Sequence, residues 1–125
     1  MDENEIGERI IGCALTVHKA LGPGLLESVY GTCLAHELRK ARLFVQTEVR
    51  LPVIYDGIEI EAAYRLDLLV SERVVLEIKA IEAVAPIHRA QLLSYLKLGN
   101  YKLGYLLNFN VPLMREGIYR LVNGL

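Results

Sequence analysis

The sequence predicts an α/β domain in which a mixed central sheet is flanked by helices. Three observations carry this prediction. Apolar residues follow helical spacing over about the first 40 positions, they then alternate with period two to about residue 80, and the last third returns to a helix followed by strands. Because helices and strands are interleaved along the chain, we expect both to build one layered core.

Two helices are expected at the start of the chain. Residues 5–20 carry apolar side chains at helical spacing, and the glycine and proline residues at 22–24 end this helix. Residues 25–41 repeat the pattern and finish with basic side chains, which the negative end of a helix dipole favours. Cys13 and Cys33 fall at apolar positions of these patterns, so we expect reduced core thiols without chemistry of their own.

The middle of the chain reads as strands. Residues 44–54 form a first predicted strand, Asp56 and Gly57 a tight hairpin turn, and residues 58–70 a second strand. A polar break then separates this strand from a third at residues 73–80. The two later strands are therefore expected to be neighbours, most simply in a hairpin.

The last third contains one helix and two strands. Pro86 precedes a predicted helix at residues 87–98, which ends at Gly99. Residues 102–109 follow as a mostly apolar strand, and residues 117–122 as a short final one. The predicted order is α, α, β, β, β, α, β, β.

Size and composition limit the classes of protein. With 125 residues, 53% of them hydrophobic and 23% charged, the chain fits one globular domain spanning 1–125, without room for a second. No apolar stretch is long enough to cross a bilayer and the N-terminus is acidic, so we expect a cytoplasmic protein that does not bind membranes. The net charge of −1 argues against nucleic-acid binding through a broad basic surface.

Common motifs for other chemistries are absent. The sequence lacks a GxxxxGK[ST] phosphate loop, a GxGxxG turn after a strand and a GxSxG elbow. No two histidines have the HxxxH or HxH spacing that would favour zinc. P-loop, dinucleotide-dependent and serine-hydrolase functions therefore have no support.

Three charged residues stand in the apolar strands and call for an explanation. Asp67 lies in the second predicted strand, and Glu77 and Lys79 lie two apart in the third. Because strand side chains alternate, Glu77 and Lys79 share one face, Leu76 and Ile78 the other, and Asp67 can lie across from the first pair. This places two carboxylates beside an ammonium group.

A divalent cation would relieve the repulsion between these carboxylates. Mg²⁺ prefers hard oxygen ligands and few protein carboxylates, a demand that Asp67, Glu77 and the backbone carbonyl of Ile78 fit, and Mn²⁺ can substitute. Lys79 would then orient the attacking water and stabilise charge developing on a phosphate. The alternative is a structural salt bridge in which Lys79 pairs with Asp67 or Glu77.

Two further segments can contribute to the same site. Glu27, in the first turn of the second helix, is a possible third metal ligand, although an acidic residue there also stabilises the helix end by itself. Gln91 and Tyr95 are four apart on the third helix and share a face. They could organise the edge of the site or form an ordinary solvent-exposed polar stripe.

Taken in order, these residues resemble the PD-(D/E)XK nuclease superfamily. More narrowly, Gly24, Glu27 and Tyr30 are similar to the signature of the small GxxExxY proteins, and this similarity extends through residues 107–109 to 121–125. Gln91 and Tyr95 resemble the QxxxY motif of RecB-like and Cas4-like nucleases. Asp67 follows leucine where the superfamily motif has proline.

The resemblance implies a restriction-endonuclease-like αβββαβ core with an extra N-terminal helix. It also implies a Mg²⁺-dependent nuclease acting on nucleic acid, with DNA as the expected substrate. The competing hypothesis is a nuclease-fold binding or assembly module without independent catalytic activity, and a homodimer is compatible with both. A purely structural interpretation of the charges does not explain why four motif segments occur in the same order as in the superfamily.

Overall fold

The computed structural model describes residues 1–61 and 64–125. Its helices are α1 (Glu3–Leu21), α2 (Glu27–Lys40) and α3 (Pro86–Gly99), and a short 3₁₀ helix covers Met114–Gly117. Its strands are β1 (Val45–Arg50), β2 (Val53–Tyr55), β3 (Ile58–Ile60), β4 (Arg65–Val70), β5 (Val74–Lys79), β6 (Leu103–Asn108) and β7 (Ile118–Val122).

A mixed sheet lies at the centre. Within the described residues it has five strands in the order β1-β4-β5-β6-β7, and only the β5 and β6 pair is parallel. Helix α3 connects these two strands, as the crossover between parallel neighbours requires. This is a restriction-endonuclease-like core preceded by the additional helix α1, so the predicted fold class is confirmed.

The sheet is covered on both faces. Helices α1 and α2 pack on one face against a cluster that includes Leu76 and Ile78 of β5. Helix α3 packs on the other face through Leu92 and Leu96, against a cluster that includes Val75. A strand buried on both faces loses the alternation of apolar and polar residues, which is why β5 reads as an almost continuous apolar run.

The predicted helix ends agree closely with the structure. Helix α1 begins with a capping box between Asp2 and Glu5 and ends at Gly22, whose φ of 68° is one that glycine adopts without strain. Helix α3 ends at Asn100 in the left-handed conformation. The two cysteines are free, half-buried and packed against the core cluster, as predicted.

Two strand predictions are wrong in their extent. Residues 44–54 divide into β1 and β2, and residues 58–70 divide into β3 and β4, with residues 62 and 63 outside the described part of the chain. Pro52 lies at the first division, where a residue without an N–H cannot continue the ladder. Strands β2 and β3 pair only with each other in a separate two-stranded sheet. We call this ribbon, Val53–Ile60, the arm.

The arm is closed by the predicted hairpin turn. Asp56 and Gly57 have φ angles of 51° and 76°. Positive φ at both central residues is the signature of a type I′ turn, which matches the twist of a two-residue hairpin. Strand β1 precedes the arm, β4 follows it, and these two strands pair with each other, as β2 and β3 do within the arm. The arm therefore continues the β1–β4 hairpin beyond the sheet.

One prediction about α3 needs correction. Gln91 and Tyr95 line the same groove, as expected for a shared face, but the solvent-exposed alternative is wrong for Tyr95, which is buried with Leu92 and Leu96. Its phenol ring also lies 5.7 Å from that of Tyr64, centroid to centroid. A tyrosine can pack its ring in a core while its hydroxyl reaches a polar neighbour, so helical spacing alone did not decide its position.

Candidate active site

The candidate site lies where β4 separates from β5. The described ladder between these strands ends at the pair Leu68 and Leu76. Beyond it, a carboxylate oxygen of Asp67 accepts a hydrogen bond from the Ile78 N–H at 2.8 Å. A carboxylate oxygen of Glu27 accepts one from the Ala80 N–H at 3.2 Å. Two carboxylates thus accept hydrogen bonds from backbone N–H groups at the end of β5 and directly after it.

Glu27 is positioned by the turn between α1 and α2. The Tyr30 hydroxyl donates to the Gly22 carbonyl at 2.5 Å and accepts from the Leu25 N–H at 3.1 Å. Its ring stacks on Phe109 with centroids 4.6 Å apart. Gly24 has a φ of 99°, which favours glycine in this turn. Gly24 and Tyr30 therefore fix the start of α2, and with it the carboxylate of Glu27 over the end of β5.

Glu77 is the buried carboxyl group of the site. Its side chain is only 9% exposed, and its Oε1 has no hydrogen-bond partner in the described residues. Burial, and secondarily the neighbouring Asp67 carboxylate, raise the pKa of Glu77 from 4.5 to about 9, and Lys79 only partly opposes this. At neutral pH, without a cation, Glu77 therefore keeps its proton.

Lys79 ends β5 on the same face as Glu77 and is half-buried. The salt-bridge alternative is not found: of the described residues, only Lys40 and Glu37 form an ion pair, at 3.4 Å. The chain leaving β5 is held by Asn108, whose side chain accepts from the Ile81 N–H at 3.1 Å and donates to the Ile81 carbonyl at 3.0 Å. Asn108 was not predicted as a functional residue, because a lone asparagine at a strand end has many possible roles.

Tyr95 approaches the carboxylates from α3. Its burial and the charges of Glu77, Tyr64 and Asp67 raise the pKa of its phenol, and hydrogen bonding with Gln91 acts in the opposite direction. Tyr95 belongs to the core cluster that contains Leu66 of β4 and Val75 of β5, so α3 covers the face of the sheet opposite α2. The structure thus brings all the predicted segments to one end of the sheet.

A cleft of about 480 Å³ opens on the α2 side, and its lining includes Glu27, Asp67 and Ile78. It is also lined by Glu48, which sequence reasoning did not single out. Glu48 lies in β1 between the register pairs that flank Asp67 and has a φ of 51°, a conformation that costs energy for a non-glycine residue. A charge in a predicted strand was visible in the sequence, but its backbone conformation was not.

The side chains of Asp67 and Glu77 would be stabilised by a hard divalent cation between them, whereas they destabilise each other when both are ionised. Adjacent carboxylates repel, and the partnerless oxygen of Glu77 is the kind of group that a cation satisfies. However, the described residues contain no group of three or more Asp, Glu, His or Cys side chains arranged to hold a metal ion. Glu27 therefore does not complete a three-carboxylate site in this conformation, since its oxygen is held by Ala80.

A family model described as the PD-(D/E)XK nuclease superfamily matches residues 4–121, which is nearly the whole chain. No curated protein matches the chain at a significant level, and no solved structure does. The helices in the described part of the chain are too short or too polar to span a membrane.

Proposed function

The chain belongs to the PD-(D/E)XK nuclease superfamily, and from this premise we propose that it is a metal-dependent nuclease that hydrolyses phosphodiester bonds of nucleic acid, with DNA as the expected substrate. The observation that carries the proposal is the buried Glu77 carboxyl group, with a partnerless oxygen, beside Asp67. A structural role alone would not favour an arrangement in which burial and a like charge both oppose ionisation.

Each residue has a role in this proposal. Asp67 and Glu77, with the backbone carbonyl of Ile78, would hold Mg²⁺, or Mn²⁺ in its place, and Glu27 would tune the site from the start of α2. The cation would supply Lewis-acid stabilisation of the phosphate undergoing attack. Lys79 would orient the attacking water and stabilise negative charge on the phosphate oxygens.

Gln91 and Tyr95 would organise the edge of the site on the α3 side. Tyr95 is buried and packs against Leu92 and Leu96, whereas Gln91 is exposed and lines the same groove as Tyr95. A rigid tyrosine supporting an accessible amide is suited to positioning, because a side chain packed in a core loses little further freedom on binding. Both residues would therefore act on the geometry of the phosphate.

The proposal includes a narrower membership, in the GxxExxY proteins, and a single domain spanning residues 1–125. The positive φ of Gly24, the hydrogen bond of Glu27 with Ala80 directly after β5, and the hydrogen bonds of Tyr30 support the first, because they give each position of that signature a physical role. The two core clusters on opposite faces of one sheet support the second.

A second candidate is a nuclease-fold binding or assembly module without independent activity. It is favoured by the absence of a three-ligand metal group among the described residues and by the net charge of −1. Calorimetric titration with Mg²⁺ and Mn²⁺, with and without DNA, separates the candidates. Binding that Glu77→Gln abolishes supports the nuclease, whereas no binding to the wild-type protein in any condition favours the module.

The direct test is cleavage of single- and double-stranded DNA and RNA with and without Mg²⁺ or Mn²⁺. We expect metal-dependent cleavage that Lys79→Ala lowers by at least about 100-fold, because transition-state charge loses its nearest ammonium. Lys102→Ala, which changes an exposed lysine beside β6, is the matched control and should cleave normally. The proposal fails if no substrate is cut, or if both variants cleave like the wild-type protein.

A further inference from the structure

The arm exposes an apolar face to solvent. Register pairs Val53 with Ile60 and Tyr55 with Ile58, and residues directly opposite in an antiparallel ribbon share a face. One face of the arm therefore consists of these four apolar side chains, and the pair Ile54 and Glu59 lies on the other. Tyr55, Ile58 and Ile60 are 72%, 63% and 44% exposed.

This face continues onto α3. A groove of about 490 Å³ lies between the arm and the helix, and its lining includes Val53, Ile87 and Leu98. Gln91 and Tyr95 also line it, so the groove borders the α3 side of the candidate active site. Ile87 and Leu98 are themselves 70% and 42% exposed. Val53 therefore links the apolar face of the arm to the groove. We call the surface formed by Val53, Tyr55, Ile58, Ile60, Ile87 and Leu98 the arm–helix face.

We propose that the arm–helix face is a homodimer interface, covered by the same face of a second copy of this chain. A two-stranded ribbon is marginally stable alone, and the arm is not paired with the five-stranded sheet. The ribbon therefore needs a partner that covers its apolar face. A second copy of this chain is the partner that is present wherever the protein is. A twofold axis makes such a contact self-complementary.

The size of the surface is adequate. From the exposed fractions, these side chains leave roughly 500 Å² of apolar area in solvent per copy, so that two copies would bury about 1,000 Å² before any polar rim is added. The total for two copies reaches the lower limit for a specific interface. The area on one copy is at the upper end of the range for apolar patches on monomers.

The charges favour a protein partner over nucleic acid. The described lining of the groove contains no Lys or Arg, the side chains that usually neutralise phosphates. Asp56 at the tip of the arm is acidic, whereas Arg50 and Arg65 at its base are exposed and, within the described residues, form no ion pair. Two arms packed tip to base would bring these opposite charges together.

The test is sedimentation velocity of the full chain over a range of concentrations. We expect the wild-type protein to sediment as a dimer with a dissociation constant in the micromolar range or lower. Ile58→Glu should weaken association by at least about 100-fold, because it buries an unpaired charge. Ile54→Glu is the matched control: Ile54 is 67% exposed on the opposite face of the same arm, and its variant should remain dimeric.

A second variant keeps the test decisive if Ile58→Glu unfolds the arm. Ile87→Glu changes the same interface from the first turn of α3, where a carboxylate is compatible with the helix. It should also produce monomers with unchanged circular dichroism. The proposal is overturned if the wild-type protein is a monomer at about 100 μM, or if Ile54→Glu disrupts association as much as Ile58→Glu. None of these measurements depends on nuclease activity.

Discussion

The candidate active site and the arm depart from the usual distribution of residues in opposite ways. At the end of β5 the fold buries a carboxyl group without a partner for one of its oxygens, whereas the arm exposes four large apolar side chains. Burial of unpaired polar groups and exposure of contiguous apolar surface both cost free energy. Each region is therefore incomplete by itself, but a cation would complete the first and an apolar surface the second.

The two regions also differ in how firmly the fold holds them. Glu77 lies on a strand with neighbours on both sides, under helices on both faces. The arm has one pairing partner for each strand and no second ladder among the described residues. A strand that is held rigidly in a sheet can keep charged side chains in fixed positions. An isolated ribbon becomes ordered only when another surface packs against it. The comparison can be tested at each region in turn.

The largest effect is expected from Glu77→Gln. We expect cleavage to fall by at least about 100-fold, because a neutral amide cannot replace a carboxylate ligand. At pH 8, without metal, the same variant should be more stable than the wild-type protein, since it removes a group that is hard to ionise in the folded state. Cleavage assays and thermal melts of both proteins measure the two effects.

Glu82→Gln, which changes an exposed carboxylate in the loop after β5, is the control for this variant and should alter neither property. Should Glu77→Gln lose stability at pH 8 as well as activity, Glu77 would be a structural group and the comparison above would not hold.

The second prediction concerns pH. Below the usual carboxyl pKa of 4.5, Glu77 is protonated in both the folded and unfolded states, and the stability associated with it is complete. Between that value and its folded-state pKa of about 9, only the folded chain keeps the proton, so the free energy of unfolding falls as pH rises. Denaturant unfolding without metal should show this decline in the wild-type protein and not in Glu77→Gln.

The same titration should govern metal binding. The cation must displace the proton from Glu77. The apparent affinity of the protein for Mn²⁺ should therefore rise about tenfold for each unit of pH between 6 and 8. Calorimetry at three pH values measures this slope. A pH-independent affinity would mean that the metal binds elsewhere.

A smaller effect is expected from Gly57→Ala in the arm. The turn requires positive φ at this position, so alanine should destabilise the arm by about 1 kcal/mol. Hydrogen exchange should accelerate at the amides of β2 and β3 and remain unchanged in β5. Equal acceleration in both regions would show that the arm folds as one unit with the sheet.

The smallest effect is expected from Glu48→Gly. Glycine tolerates the φ of 51° at this position, and the variant should gain about 0.5 kcal/mol in the free energy of unfolding. Chemical denaturation measures this gain, and Glu59→Gly on the arm, where the backbone is extended, should lose stability instead. If Glu48→Gly also changes cleavage and Glu48→Gln does not, the strained backbone serves the cleft.

Much of the architecture could be predicted from local sequence. Helix α1 has its capping box and its terminal glycine, α3 has its proline and Asn100, and Asp56 and Gly57 close the hairpin. These signals depend on the conformations of single residues and of near neighbours, so they are visible without knowledge of the fold. The predicted alternation on β5 was also confirmed, since Leu76 and Ile78 pack under α1 and α2.

The failures came from relations between distant segments. The sequence around Pro52 does not show that the ribbon beyond it leaves the sheet, and the helical spacing of Tyr95 does not show that it is buried. Both outcomes depend on which surfaces are already covered when the elements pack together. For the same reason, the positive φ of Glu48 had no local signal.

The sequence by itself determined the order of the helices and the strand regions, the ends of the helices, and which residue types lie at the end of β5. Only the tertiary structure decided that Asp67 accepts a hydrogen bond from the Ile78 N–H of that strand and Glu27 one from the Ala80 N–H directly after it. The tertiary structure also decided that Glu77 lies buried with one oxygen that has no hydrogen-bond partner in the described residues. The physical reason is that a side chain's chemistry is fixed by its covalent structure, whereas its ionisation and its partners depend on neighbours brought from elsewhere in the chain.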